Sequence, residues 1–107
     1  MIDASRIAEL KAEIGEEDFC DIVDVFVKEL DEAVVALKAE DTANRQAIAD
    51  AAHFIKGSAA NLGLRDLVDA CALLEDAAGK KINVDSQAGD VSSIYARSRT
   101  ELLEMAK

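Results

Sequence analysis

The stretch EEDFCDIVDVFVKELDEAVVALK, residues 16–38, decides the fold class of this 107-residue chain. Its apolar side chains recur at steps of three and four residues, which places them on one face of an α-helix of about six turns. They are Phe19, Ile22, Val23, Phe26, Leu30, Val34 and Leu37. The opposite face is charged, which favours a solvated surface over a dedicated acidic docking strip. The stretch therefore predicts a long amphipathic helix.

A shorter helix is predicted before this stretch. Asp3 or Ser5 can cap its first turn, and it ends near Gly15, because glycine accepts the left-handed conformation at a helix C-terminus. Its apolar positions are Ile7, Leu10 and Ile14. We expect this helix to form a lid on the other helices.

A third helix is predicted after the stretch, capped by Asp41 or Thr42 and closed by Gly63. Its inward positions are Ile48, Ala51, Ala52, Ile55, Ala59 and Leu62. A fourth helix follows at once and stops at Gly79. Its apolar face consists of Leu64, Leu67, Val68, Cys71, Leu74 and Ala78.

The last helix is predicted to start at Asp85 or Ser86, after a loop that Ile82 and Val84 can pin to the core. Its inward residues are Val91, Ile94, Tyr95, Ser98, Leu102 and Met105. Short connections between long amphipathic helices favour antiparallel neighbours. We therefore predict an all-α fold, an up-down-up-down antiparallel four-helix bundle with a short extra N-terminal helix, in a single domain over residues 1–107.

The charge of the chain restricts the partners it can have. Acidic residues outnumber basic ones 22 to 12, and the formal net charge is -10. Nucleic acids and anionic membranes are bound by basic faces, so we expect a protein partner, with no nucleic acid and no membrane. Cys20 and Cys71 lie in apolar periodic segments without C-x-x-C spacing, which predicts core residues in a reducing compartment. With no apolar leader segment in the first residues, the expected location is cytoplasmic.

His53 is the single histidine of the chain. A step of about 100° per residue puts it near 140° from the core direction of the third helix, so it should face water. Ala49, Gly57 and Ala60 share its face and leave the imidazole uncrowded. Glycine in a helix interior lowers stability by on the order of 1 kcal/mol relative to Ala, so its presence at position 57 needs an explanation. Close approach of another protein is one reason, and tight helix packing is the alternative.

Lys56, three residues after His53, is near enough to place an ammonium beside a phosphate on the ring, although an ordinary solvated lysine is the alternative. An exposed imidazole supplies a nucleophile for phosphoryl transfer. The chain has no Walker-type, dinucleotide-binding or H-E-x-x-H motif, and no second histidine for a metal site. These features predict a phosphocarrier that receives its phosphate from another protein, with no ATP site and no metal of its own.

The segment HFIKGSAANLG, residues 53–63, resembles the H-x-L-K-G-S-[SA]-x-x-L-G signature of histidine-containing phosphotransfer (Hpt) domains. The resemblance continues into the L-x-x-x-C-x-x-L-E pattern formed by Leu67, Cys71, Leu74 and Glu75. Ile55 and Ala59 are mild departures from the signature, at positions where Leu and Ser are common.

This resemblance implies that His53 accepts a phosphoryl group from the aspartate of a response-regulator receiver domain, or passes one to it, in a multistep phosphorelay of two-component signal transduction. It implies that Lys56 helps to hold the phosphate and that Gly57 leaves room for the receiver. The receiver would supply the aspartate, the Mg²⁺ and most of the catalysis, and a hybrid histidine kinase would feed the relay. This chain would need no cofactor.

Position alone suggests Ala49, Phe54, Ala60 and Arg65 as further parts of the docking face, together with Gly57. For Phe54, packing against a neighbouring helix is the favoured interpretation. Two other functions stay open. One is a structural or adaptor bundle that never carries phosphate, and the other is the phosphoacceptor domain of a larger histidine kinase. The Met1 start and the helical end at Lys107 favour a free-standing protein, which we expect to be a monomer.

Overall fold

The computed structural model describes residues 2–80 and 82–106, and this part of the chain is helical, with no β-strand. The five helices are α1 (Ala4–Ile14), α2 (Glu16–Ala39), α3 (Arg45–Asn61), α4 (Arg65–Gly79) and α5 (Asp85–Met105). The all-α prediction is confirmed. Among these residues, no helix combines the length and the apolar character needed to cross a membrane.

The periodicity of α2 is confirmed in its burial. Five of the seven apolar positions predicted from the sequence are buried, and Ile22 and Phe26 are partly buried at the edges of the stripe. Val27, which was not assigned to the stripe, is buried with them. Gly15, with φ of 84°, separates α1 from α2, and three acidic residues in the first turn of α2 suit the positive end of the helix dipole.

The helix starts agree with the sequence in two cases and differ in one. The Asp3 carboxylate caps α1 by accepting hydrogen bonds from the backbone amides of residues 5 and 6, and α5 starts at Asp85. The cap of α3 is neither Asp41 nor Thr42 but Asn44, whose side chain accepts from the amide of residue 47. Asp41 instead accepts a hydrogen bond from the amide of residue 43 and so forms a turn before the helix.

The four long helices form a closed ring of neighbours. α3 packs against α2 and α4, and α5 packs against α4 and α2, while α1 packs against α2. Cys71 is fully buried in the shared core, as predicted, but Cys20 is exposed, so its assignment to the core was wrong. Likewise Val84 is buried but Ile82 is exposed, so only one of the two loop residues reaches the core.

A polar cluster joins α2 to α5. The carboxylate of Asp31 accepts hydrogen bonds from the hydroxyl of Tyr95 and from the Arg99 guanidinium, whose Nε lies 3.0 Å from Oδ1. Burial opposes ionisation of Asp31, but the hydrogen bonds from Tyr95 and Arg99 outweigh it and lower the pKa of the carboxyl. Burial and the same carboxylate raise the pKa of Tyr95. The three side chains are therefore hydrogen-bonded to one another and link α2 to α5.

The turn between α3 and α4 is held by the N-terminal segment. The amide of Asp3 donates to the carbonyl of Gly63 at 2.7 Å, and Nε of Arg6 donates to the carbonyl of Asn61 at 2.9 Å. Gly63 has φ of 70°, and a Cβ at this position would lie 2.9 Å from the Cβ of Arg6. Glycine is therefore required here, both by the backbone conformation and by the contact with α1.

Candidate functional site

The two faces of α3 differ sharply in exposure. Ile48, Ala52, Ile55 and Ala59 are fully buried, whereas the His53 side chain is 75% exposed. The orientation predicted from the helical phase is therefore confirmed. Ser58, to which the sequence assigned no face, is also buried. A rigid, core-packed helix thus presents one imidazole to solvent.

The residues that share the His53 face of α3 are small. Gly57 and Ala60 are exposed, and Ala49 is partly buried. A Cβ at Gly57 would have no atom within 4 Å, so no packing contact inside the molecule requires glycine at this position. The tight-packing alternative for Gly57 is therefore wrong, and the space at this position is open to solvent.

Half of the surface of Phe54 (50%) is exposed, so packing against a neighbouring helix, which the sequence favoured, can involve only part of the ring. An aromatic ring next to the exposed histidine is available for contact with another molecule. Arg65 is exposed at the start of α4. Together with Ala60 it lines a surface depression of about 320 Å³ that α1 borders with Asp3 and Arg6. Of the predicted docking residues, Ala60 and Arg65 thus share one depression.

Glu75 of α4 is the residue that sequence reasoning missed as part of the site. Its Oε1 lies 2.7 Å from Nζ of Lys56, and its Oε2 lies 3.6 Å from Nδ1 of His53. The Glu75 side chain is 27% exposed and its Oε1 is buried, so the carboxylate is partly shielded between the two helices. Glu75 appeared in the sequence only as the last residue of the signature pattern, and periodicity does not reveal which residues of α3 it faces.

The contacts of the carboxylate distinguish the two ring nitrogens of His53. Nδ1 faces Glu75, and a carboxylate beside Nδ1 favours the tautomer that carries the proton there. Nε2 then keeps a free electron pair, on a side chain that is 75% exposed. Lys56 contacts the same carboxylate through Oε1, so Glu75 lies next to both the ammonium and the imidazole. The arrangement offers a nucleophilic nitrogen next to one positive charge.

The residues around His53 were compared with the side-chain groups that bind metals and with reactive cysteines. Among residues 2–80 and 82–106, no group of three or more His, Cys, Asp and Glu side chains is placed to hold a metal ion. Cys71, one turn before Glu75, is fully buried, and burial followed by the negative charge of Glu75 raises the pKa of its thiol to about 12. This thiol therefore stays protonated and shielded.

Comparison with protein families gives one match that covers most of the chain. The family model described as the Hpt domain matches residues 17–106, which include α3, α4 and all of these site residues. The match begins after α1. Searches among curated proteins and among solved structures found no match.

Proposed function

Because the chain belongs to the Hpt domain family, whose members carry out histidine phosphotransfer in phosphorelays, we propose that it carries a phosphoryl group on His53. The proposed donors and acceptors are the aspartates of response-regulator receiver domains. Hpt domains are phosphocarrier modules, and the catalysis is proposed to come from the partner. Residues 1–107 are proposed to form one such domain.

The observation that carries this proposal is the exposure of the chain's single histidine on a helix face that it shares with the small residues Ala49, Gly57 and Ala60. His53 is 75% exposed, and Gly57, one turn away, faces open space. A receiver has to bring its phosphorylated aspartate to within bonding distance of the imidazole, and large side chains on this face would obstruct it. The open surface fits an acceptor that a protein, and not a small molecule in a pocket, approaches.

The chemistry needs only one nucleophile from this chain. The electron pair of Nε2 attacks phosphorus, the P–O bond to the receiver aspartate breaks, and the aspartate leaves as a carboxylate. We propose that Lys56 stabilises the negative charge of the phosphoryl oxygens. To do so it would give up part of its contact with Glu75. The Mg²⁺ that the reaction requires is proposed to reside on the receiver.

Docking is proposed to involve Ala49, Phe54, Gly57, Ala60 and Arg65. The exposed ring of Phe54 and the exposed guanidinium of Arg65 support this assignment, because aromatic and arginine side chains are enriched in protein interfaces. A hybrid histidine kinase is proposed as the source of the phosphate. A monomeric, cytoplasmic protein is the state we propose for the chain.

The up-down-up-down arrangement of α2–α5 is proposed as the frame of the site. Arg45, at the start of α3, donates to the carbonyls of Ala77 and Ala78, at the end of α4. Near the other ends of these helices, a turn of three residues connects α3 to α4. Both features support an antiparallel pair, which fixes Glu75 opposite His53 and Lys56.

The test is incubation with a panel of phosphorylated receiver domains and Mg²⁺, followed by intact-mass and acid-lability measurements on the parent and on His53→Gln. We expect acid-labile phosphate on the parent and none on the variant. If no receiver transfers phosphate to a correctly folded parent, the adaptor-bundle function replaces the phosphocarrier.

A further inference from the structure

A groove of about 240 Å³ lies between α4 and α5. Its apolar part consists of Ala70 and Leu73 of α4 and Ile94 of α5. Ala70 is buried and Ile94 is partly buried, but Leu73 is 64% exposed. One exposed leucine is ordinary on a protein surface, but this one borders a concave apolar surface that two helices form together. The groove therefore has room to bury an apolar side chain of another molecule.

The groove faces away from His53. Glu75, which contacts His53, follows Leu73 by two residues on α4, and a step of about 100° per residue places the two side chains roughly 160° apart around the helix. Among the described residues that line the groove, only Asp69 also borders the depression beside Ala60. A molecule in the groove therefore leaves the imidazole accessible.

The rim of the groove is acidic. Among the described residues that line it, Asp66, Asp69 and Asp90 contribute three carboxylates, and Arg97 contributes one guanidinium. The side-chain oxygen of Gln87, which also lines the groove, is buried and accepts no hydrogen bond from a described residue. The groove therefore combines negative charge with an unused acceptor, and both features suit an occupant that carries positive charge and N–H donors.

Several classes of occupant do not fit these features. A second copy of this chain, packed by the same face, would bring two acidic rims together, and its formal net charge of -10 would add to the repulsion. Nucleic acids and anionic membranes would be repelled in the same way. The groove is also smaller than a typical small-molecule pocket of roughly 300–1,000 Å³. A protein segment with apolar and basic side chains fits both its size and its charge.

We propose that the α4–α5 groove is a second interaction surface, which binds a basic amphipathic helix of a partner protein. An apolar side chain of that helix packs on Leu73 and Ile94, and the flanking Lys or Arg side chains pair with Asp69 and Asp90. Because the groove faces away from His53, this partner stays bound while another protein approaches the imidazole. The inference goes beyond the proposed function and does not depend on it.

The test uses two synthetic peptides of about 14 residues, roughly four helical turns. Both carry Leu at helical spacing, and the other positions are Lys in one peptide and Glu in the other. Binding to the ¹⁵N-labelled full chain is measured by calorimetry and by amide chemical-shift changes, at low and at high salt. We expect the Lys peptide to shift amides along the groove and to bind more weakly at high salt, and we expect the Glu peptide not to bind.

The apolar contact is tested by Leu73→Gln. This variant should weaken binding of the Lys peptide by about tenfold, because it removes apolar surface that the peptide would bury. Val35→Gln is the matched control, because Val35 is exposed to a similar extent (66%) but lies on α2. The control should bind the peptide as the parent does.

The charged rim is tested by the double variant Asp69→Asn and Asp90→Asn. It should weaken binding of the Lys peptide by about fivefold at low salt and should reduce the salt dependence. The matched control combines Asp21→Asn with Asp24→Asn, which removes the same charge from exposed positions of α2. The control should retain the affinity of the parent.

Equal losses in a variant and its control would show that the peptide binds only the overall negative charge, and would overturn the inference. Equal binding of the two peptides, no binding, or self-association of the parent that Leu73→Gln removes would overturn it as well. Phosphoramidate, a small phosphoryl donor for imidazole, should load His53 at the same rate with and without bound peptide, and a slower rate would contradict the separation of the two surfaces. A chain that takes no phosphate on His53 would overturn the proposed function, while the binding results would still decide this inference.

Discussion

Two pairs of helices in this protein are bridged in a similar way and to different effect. On α2, Asp31 contacts Tyr95 and Arg99, which are four residues apart on α5. On α4, Glu75 contacts His53 and Lys56, which are three residues apart on α3. In each case one carboxylate joins two side chains on adjacent turns of the neighbouring helix.

The two clusters differ in how far their side chains are buried and hydrogen-bonded. Tyr95 is buried, and its hydroxyl donates to Asp31, so this cluster leaves no reactive atom exposed. His53 is exposed, and its Nδ1 lies 3.6 Å from Oε2 of Glu75, beyond hydrogen-bond distance. The α2–α5 cluster therefore fastens the bundle, while the α3–α4 cluster places a carboxylate beside the histidine that we propose as the phosphate carrier.

The largest expected effect separates the two clusters by function. His53→Gln should abolish phosphate acceptance and change the free energy of unfolding by less than about 0.5 kcal/mol, because the removed ring packs against little. Intact-mass measurement after phosphoramidate treatment and urea unfolding check the two parts. A large loss of stability would contradict the assignment of His53 to a reactive and not a structural role.

The second prediction concerns the open surface beside His53. Gly57→Leu should slow transfer from a receiver by about tenfold or more, because a bulky side chain would keep the phosphoaspartate from the ring. The same change should raise the free energy of unfolding by about 0.5–1 kcal/mol, because glycine weakens a helix interior. Stopped-flow or quenched transfer assays and urea unfolding measure the two effects.

Gly89→Leu is the matched control for this variant. Gly89 also lies inside a helix, and a Cβ at this position would likewise have no atom within 4 Å, but the residue is on α5. We expect a similar gain in stability and no change in the transfer rate. Equal transfer rates for Gly57→Leu and Gly89→Leu would refute close approach at Gly57.

The third prediction tests the α2–α5 cluster of Asp31, Tyr95 and Arg99. Tyr95→Phe removes a buried hydroxyl that donates to Asp31, and should lower the free energy of unfolding by about 1 kcal/mol. The rate of transfer to His53 should equal that of the parent once the variant is folded. Slower transfer at unchanged stability would show that the two clusters are coupled, against this division of roles.

The smallest expected effect is the pH dependence of the same cluster. The pKa of Asp31 is lowered by folding, so its ionised form contributes stability above the ordinary carboxyl pKa of about 3.9, and this contribution is lost as the pH falls through the lower folded value. Asp31 is 40% exposed, so the contribution should be a few tenths of a kcal/mol. Unfolding of the parent and Asp31→Asn should differ at pH 7 and converge below about pH 4. A difference that grows in acid would contradict this sign.

The sequence predicted the elements better than the contacts between them. Periodicity located the buried face of α2 and the outward direction of His53, because both depend only on the geometry of a single helix. The cap of α3 was missed because Asp41, an equally good cap by type, forms a turn three residues earlier. Cys20 lies among apolar neighbours in the sequence, but the helix turns it outward.

Contacts across helices were beyond the reach of a single sequence. The pairing of Glu75 with Lys56 depends on the rotation and relative shift of α3 and α4, and neither quantity is encoded in the periodicity of either helix. The same holds for Asp31 and Tyr95, which are 64 residues apart in the chain. The exposure of His53 was therefore predictable, whereas its contact with Glu75 was not.

The most direct test of the central claim is to identify the atom that carries phosphate. We expect ³¹P and ¹⁵N NMR of the phosphoramidate-treated, ¹⁵N-labelled protein to show one phosphoryl group, bonded to Nε2 of His53, with Nδ1 still protonated near neutral pH. Phosphate on Nδ1, or on a residue other than His53, would contradict the account, because the structure turns Nδ1 of this exposed side chain toward Glu75.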